Sequence, residues 1–172
     1  EVDEPTVVVL TPGVHNSAYF EHAFLARHMG VELVEGRDLV VEDNKVFMKT
    51  TGSYKQVHVI YKRVDDDYVD PLHFVKGSTL GVAGIINAAR AGNVAIANAV
   101  GNGVGDDKLI YSYVPDFIKY YLGEEPLIKS VDTYRLDDPS VRKYVLDNRE
   151  KLVFKPVDAS GGYGLVIGPH AT

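Results

Sequence analysis

Cysteine is absent from the 172 residues. That removes disulfides, zinc–thiolate sites and cysteine nucleophiles from this chain, and it fits a cytoplasmic setting. Basic excess is missing too: 18 Lys and Arg stand against 24 Asp and Glu, a formal net charge of −6. Nonspecific nucleic-acid binding needs a basic face, so no nucleic-acid partner is expected. An anionic ligand has to be held by a few local lysines and arginines. No apolar run approaches the roughly 20 residues of a membrane helix, so no membrane is expected. There is no charged-then-apolar leader and no initiator Met, and Glu1 is read as an internal cut. No Gly-x-x-x-x-Gly-Lys-Ser/Thr string exists, the turn after the first strand lacks Gly-x-Gly-x-x-Gly, and no Gly-x-Ser-x-Gly elbow is present. His15, His22 and His28 lack the i, i+4 spacing of a helical zinc site.

What is present is an alternation of buried-type strands and helices. Thr6–Thr11 is a near-continuous apolar run, as in a parallel strand covered on both faces. Pro12-Gly13 ends it. Asn16 or Ser17 is expected to cap a helix to His28 or Met29 that buries Ala18, Phe24, Leu25 and Met29, with Gly30 as its stop. Val31–Val34 reads as a second strand. Asp38–Glu42 and Lys45–Lys49 around Asp43-Asn44 read as a hairpin, and Gln56–Tyr61 as one further strand. Val82, Ile85, Ile86 and Ala89 have helical spacing, predicting a helix over Gly81–Ala91 ended by Gly92. Val94–Ala97 returns as a strand. Asp106 or Asp107 caps a helix that Pro115 interrupts, and Asp138-Pro139 opens another. The alternation predicts an α/β domain over 1–125 with an open, mostly parallel sheet and an inserted β-hairpin. Pro126–Asp138 reads as a connector, and 126–172 as the start of a second domain.

Four constellations carry chemistry. In Val153-Phe154-Lys155-Pro156 through Ser160-Gly161-Gly162-Tyr163-Gly164, a lysine at a strand end precedes a glycine loop. The lysine is a placed point charge, and the glycines let backbone N–H groups turn toward phosphate oxygens. A glycine-rich turn with a surface lysine is the plain alternative. In Tyr61–Asp67, Arg63 and a carboxylate cluster follow a strand end, where open sheets place ligands. Carboxylates there suit Mg2+ and the arginine suits an anionic oxygen; a solvated acidic turn is the plain alternative. Asn98 and Gly101–Gly105 follow a buried strand, as a close-approach loop or a plain turn. Asn16, Ser17 and Glu21 sit at a helix start, where a substrate carboxylate can be held or a helix simply capped.

The chain resembles the circularly permuted ATP-grasp proteins, a family related to glutathionylspermidine synthase with many members of unknown function. The strings that carry the likeness are Pro12-Gly13 through Glu21-His22, Leu33–Leu39, Tyr61–Asp67, Ala97-Asn98-Ala99 through Asp107-Lys108, and Val153 through Gly164. The resemblance implies a Rossmann-like (pre-ATP-grasp) sheet followed by the truncated start of an ATP-grasp domain, needing the remainder of that domain for a complete site. It implies an ATP-dependent carboxylate–amine ligase in which ATP phosphorylates a carboxylate and an amine attacks the acylphosphate, with Mg2+ as cofactor and small-molecule acid and amine substrates. Lys155, Ser160, Gly161, Gly162 and Gly164 match the ATP-binding positions. Arg63 is the catalytic candidate, and Asp65, Asp67 and Asn98 are the metal candidates. A non-catalytic binding or scaffold module and a Rossmann-like nucleotide-sugar transferase are the alternatives.

Overall fold

The structure, a computed structural model, describes residues 3–159 and 161–171. The chain forms two compact units, Glu1–Gly101 and Asn102–Thr172. The strand–helix alternation puts a domain line at 125/126; the compact units divide at 101/102.

The first unit is α/β. β1 (Val7–Leu10) leads through α1 (Tyr19–Met29) to β2 (Glu32–Val34). β6 (Val59–Lys62) leads through two short helices, α2 (Asp66–Val69) and α3 (Ile85–Arg90), to β7 (Ala95–Ile96). These strands make a parallel sheet in the order β2-β1-β6-β7. Val8, Val9, Leu10 and Ile60 are fully buried, as an apolar run without alternation requires when both faces are covered. The strand order reverses between β1 and β6, which are parallel: one crossover runs outward to β2 and the other outward to β7. The carboxyl ends of all four strands meet at one edge.

Between β2 and β6 the chain makes an antiparallel sheet of β3 (Leu39–Glu42), β4 (Lys45–Lys49) and β5 (Tyr54–Val57). Asp43 and Asn44, with φ of 50° and 56°, form the β3–β4 turn, the left-handed pair a two-residue hairpin needs. The single strand expected over Gln56–Tyr61 is two strands that break at His58. There the chain passes from the antiparallel to the parallel sheet. His58 N–H donates to Thr6 O (2.9 Å), His58 Nδ1 accepts from Thr6 N–H (3.0 Å), and His58 O accepts from Ala95 N–H (2.9 Å). Both sheets share one core with α3 through Val46, Val57, Ile60, Ile85 and Ala88.

α1 is a second correction. It starts at Tyr19, because Asn16 Oδ1 accepts from Ala18 N–H (2.9 Å) in a turn before the helix. The face it buries is His22 and Ala26, while Phe24 and Met29 are about half exposed. Gly30 ends it at φ 66°, as expected.

In the second unit, Asp107 caps α4 (Lys108–Ser112), its carboxylate accepting from Ile110 N–H at 2.8 Å. Next come α5 (Val114–Phe117), a π turn to Leu122, and α6 (Pro139–Asp147), capped by Asp138. The unit closes on an antiparallel ribbon of β8 (Val153–Phe154) and β9 (Val166–Ile167). Val145 is its one buried hydrophobic side chain among the described residues.

Candidate functional site

The strand-end edge of the parallel sheet gathers polar residues that the sequence scatters. Thr11 follows β1, Glu35 follows β2, Lys62 and Arg63 end and follow β6, and Asn98 lies two residues past β7. The first turn of α1 brings Glu21 and His22 to the same edge, and the point where the strand order reverses is where open α/β sheets receive ligands.

Around β1, the Thr11 hydroxyl and His22 Nδ1 are 2.8 Å apart, both residues being buried, and Gly13 N–H donates to the same hydroxyl at 3.2 Å. Burial, then the Arg63 charge, lowers the His22 pKa against a smaller opposing effect of Glu21, so the ring is neutral at pH 7. The Arg63 guanidinium stands 3.6 Å from the Glu21 carboxylate. With Phe20, Phe24 and Leu25 they line a cavity of about 310 Å3. A second cleft, of about 250 Å3, lies between the β1 and β2 ends and is lined by Thr11, Glu35 and Arg37 among others. Glu35 and Arg37 pair at 3.1 Å.

Around β6, Lys62 is buried. Its Nζ lies 2.6 Å from Asp66 Oδ1 and donates to Val64 O at 3.2 Å. Asp66 Oδ2 accepts from Gly101 N–H at 2.7 Å. Burial opposes ionisation of Asp66, but Lys62 and the Gly101 N–H together outweigh it and lower its pKa. Asn98 clamps the Lys62 backbone: its Oδ1 accepts from Lys62 N–H (2.9 Å) and its Nδ2 donates to Lys62 O (2.6 Å). The side chain continues the sheet ladder where β7 has ended.

The acidic cluster thus sorts into different jobs. Asp65, which precedes α2, and Asp67, in its first turn, are both exposed. Asp66 is an ion-pair partner. Asp70 is fully buried and accepts from Leu72, Gly84 and Ile86 N–H at 2.9, 3.1 and 3.0 Å. Among the described residues no three His, Cys, Asp or Glu side chains converge on a metal-sized site. Asn98 is committed to the Lys62 backbone, so Asp65, Asp67 and Asn98 are not preassembled as a Mg2+ shell in this unit. Asn16 makes a local turn, Ser17 is exposed, and Glu21 is the substrate candidate that meets Arg63.

The second unit holds the other candidate group. Lys155 is exposed just past β8, and Gly161, Gly162 and Gly164 have φ of 62°, 81° and 68°. Positive φ is readily open to glycine, and a glycine turn can present backbone N–H groups to an anion. Ser160 lies outside the described residues. The loop's base is held from α4: Lys108 N–H donates to Val157 O (3.1 Å), and Lys108 Nζ donates to Ala159 O.

Thr11, His22 and Lys62 are absent from the site residues read from the sequence, whereas Asp66 lies within the acidic cluster named there. Lys62 leaves one trace there, a lysine ending an otherwise apolar strand. Thr11 and His22 leave none.

A family model described as "A circularly permuted ATPgrasp" matches residues 1–172. The chain belongs to the circularly permuted ATP-grasp family. It is 63% identical over 171 residues to the Mycobacterium tuberculosis protein Rv2411c, covering 98% of this chain and 31% of that one. It is 56% identical over 168 residues to the Synechocystis protein sll0335, covering 98% and 35%. A Frankia alni protein provisionally named glutamate–cysteine ligase 2-3 is 50% identical over 168 residues, covering 98% and 20%. The chain therefore spans about a third of the length of the first two mentioned and a fifth of the third. Among the described residues no helix is long and apolar enough to cross a membrane.

Proposed function

We propose that this chain is part of a cytoplasmic ATP-dependent ligase that joins a small carboxylic acid to an amine. The observation that carries the reading is Lys155 followed by three left-handed glycines, in a chain that belongs to an ATP-grasp family. The Frankia relative's name, a ligase of two amino acids, supports the same reaction class. In this reading Glu1–Gly101 is the pre-ATP-grasp part, and the ribbon of the second unit opens the ATP-grasp domain that the rest of the polypeptide completes.

ATP, when bound, supplies the phosphoryl group that activates the carboxylate as an acylphosphate. Lys155 neutralises phosphate charge, and the Gly161, Gly162 and Gly164 N–H groups donate to phosphate oxygens. Phosphoryl transfer needs mainly placement and charge neutralisation, which such groups supply. Closing the loop excludes water and protects the activated acid. Arg63 holds an anionic oxygen of the substrate at the strand-reversal crevice.

In the full-length protein, Lys155→Ala should weaken ATP binding about tenfold or more, the loss of one charge-assisted contact, and abolish ADP release. Calorimetry and a coupled ADP assay measure both. Unchanged ATP affinity together with unchanged turnover would remove Lys155 from the site and the ligase reading with it.

A further inference from the structure

The pocket at Arg63 and Glu21 is chemically more specific than a general anion site. Its five lining residues are one cation, one anion and three apolar side chains, Phe20, Phe24 and Leu25. Its volume of about 310 Å3 stands at the lower end of small-ligand pockets. α1 is also inverted for a sheet-packed helix. It turns His22 toward the core and leaves Phe20 79% and Phe24 51% exposed. An apolar stripe normally faces the core, and clustered exposed aromatics mark a binding surface. The wall is continuous: Phe20 and Phe24 stack with centroids 6.3 Å apart, and Phe24 packs on His28 at 4.0 Å.

The two charges are poorly used by each other. Their 3.6 Å separation is too long for a hydrogen bond, and the Glu21 side chain is 69% exposed. Such a pair contributes little to stability, so a ligand can take over both partners at small cost. A plain carboxylic acid would satisfy Arg63 but set its carboxylate against Glu21. A plain amine would satisfy Glu21 but face Arg63. A neutral apolar molecule would leave both unanswered. Discrimination of this kind rests on repulsion as much as attraction.

We propose that this pocket binds an apolar α-amino acid, with Arg63 taking the carboxylate, Glu21 the ammonium, and Phe20, Phe24 and Leu25 the side chain. That the bound amino acid is one of the two molecules joined rests on the ligase reading. The ligand class does not.

The test uses full-length protein titrated by calorimetry and ligand-detected NMR with three probes: L-phenylalanine, 3-phenylpropionate and phenethylamine. L-Phenylalanine should bind about tenfold or more tightly than either analogue lacking one charge. Glu21→Gln should erase the preference over 3-phenylpropionate, and Arg63→Gln should weaken both carboxylates. Phe24→Ala should weaken all three probes. No detectable binding of L-phenylalanine or L-leucine at about 10 mM, far weaker than any useful affinity, would overturn the proposal. So would a preference for L-phenylalanine that survives Glu21→Gln. ADP release separates the two readings. Binding of L-phenylalanine without ADP release in any acid–amine pairing would sink the ligase and keep the pocket. ADP release supported by other substrates, with no detectable binding of L-phenylalanine or L-leucine, would do the reverse.

Discussion

The Lys62–Asp66 pair should be among the most strongly coupled polar pairs in the first unit. The Lys62 side chain is 6% exposed and that of Asp66 26%, with 2.6 Å between Nζ and Oδ1. At an effective dielectric of about 20, charges at that distance attract by about 6 kcal/mol. Taking the ions partly out of water offsets much of this, leaving a coupling of about 2–3 kcal/mol. Asp66→Asn removes the counter-charge and leaves one side-chain oxygen for Lys62 Nζ and the Gly101 N–H together, which should destabilise by about 2–4 kcal/mol, since it strands a buried charge. Lys62→Met should cost less, because the carboxylate keeps the Gly101 N–H and some water. The double variant should recover most of the larger loss. Urea unfolding of the wild type, both single variants and the double variant, followed by circular dichroism, yields the coupling directly. The sign with pH follows from the lowered Asp66 pKa. The carboxylate's contribution is full above its unfolded pKa near 3.8 and is lost only as pH falls through the lower folded value. The coupling should therefore persist at about pH 5. A coupling under about 0.5 kcal/mol, the level of an exposed pair, would refute the reasoning.

Other perturbations separate framework from site. Asp70→Asn turns an amide N–H toward a backbone donor where the carboxylate accepts three, and should cost about 2–3 kcal/mol in urea unfolding; a loss within experimental error would show the three bonds to be dispensable. Because the His22 pKa is lowered from 6.5, stability is full above that pH and declines as pH falls through 6.5, where the unfolded chain takes up a proton the folded chain resists. His22→Gln should flatten the fall of Tm between about pH 8 and pH 5, and parallel curves for variant and wild type would contradict this. A Cβ at Gly81 would overlap the Val69 and Tyr68 carbonyl oxygens, whereas Gly52 has nothing within 4 Å. Gly81→Ala should lose about 3 kcal/mol or fail to fold, and Gly52→Ala should stay within about 0.5 kcal/mol; equal melting temperatures would show that the backbone yields freely at Gly81.

Local signals were legible. β1, the Gly30 stop, the Asp43-Asn44 turn, the Asp107 and Asp138 caps and the helical spacing near Ile85 all involve residues within a turn or two of each other. The misreadings share one cause. His58 divides one apparent strand because it bonds to Thr6, a partner 52 positions away. Asn98 bonds to the Lys62 backbone, a partner 36 residues back that no local pattern names. α1 seemed to bury Phe24 and Met29 because large apolar side chains normally face inward. The core below α1 instead contains the Thr11 hydroxyl, which suits an imidazole.

From the order of residues alone came the α/β class, the parallel character of β1, the glycine loop after Lys155 and the family that these strings resemble. Each depends on patterns within a short stretch of chain. Tertiary structure alone decided that Glu21 faces Arg63, that Lys62 is buried against Asp66, and that the four acids of 65–70 hold different roles. Those outcomes depend on which strand ends become neighbours, and parallel pairing sets that by joining segments tens of residues apart.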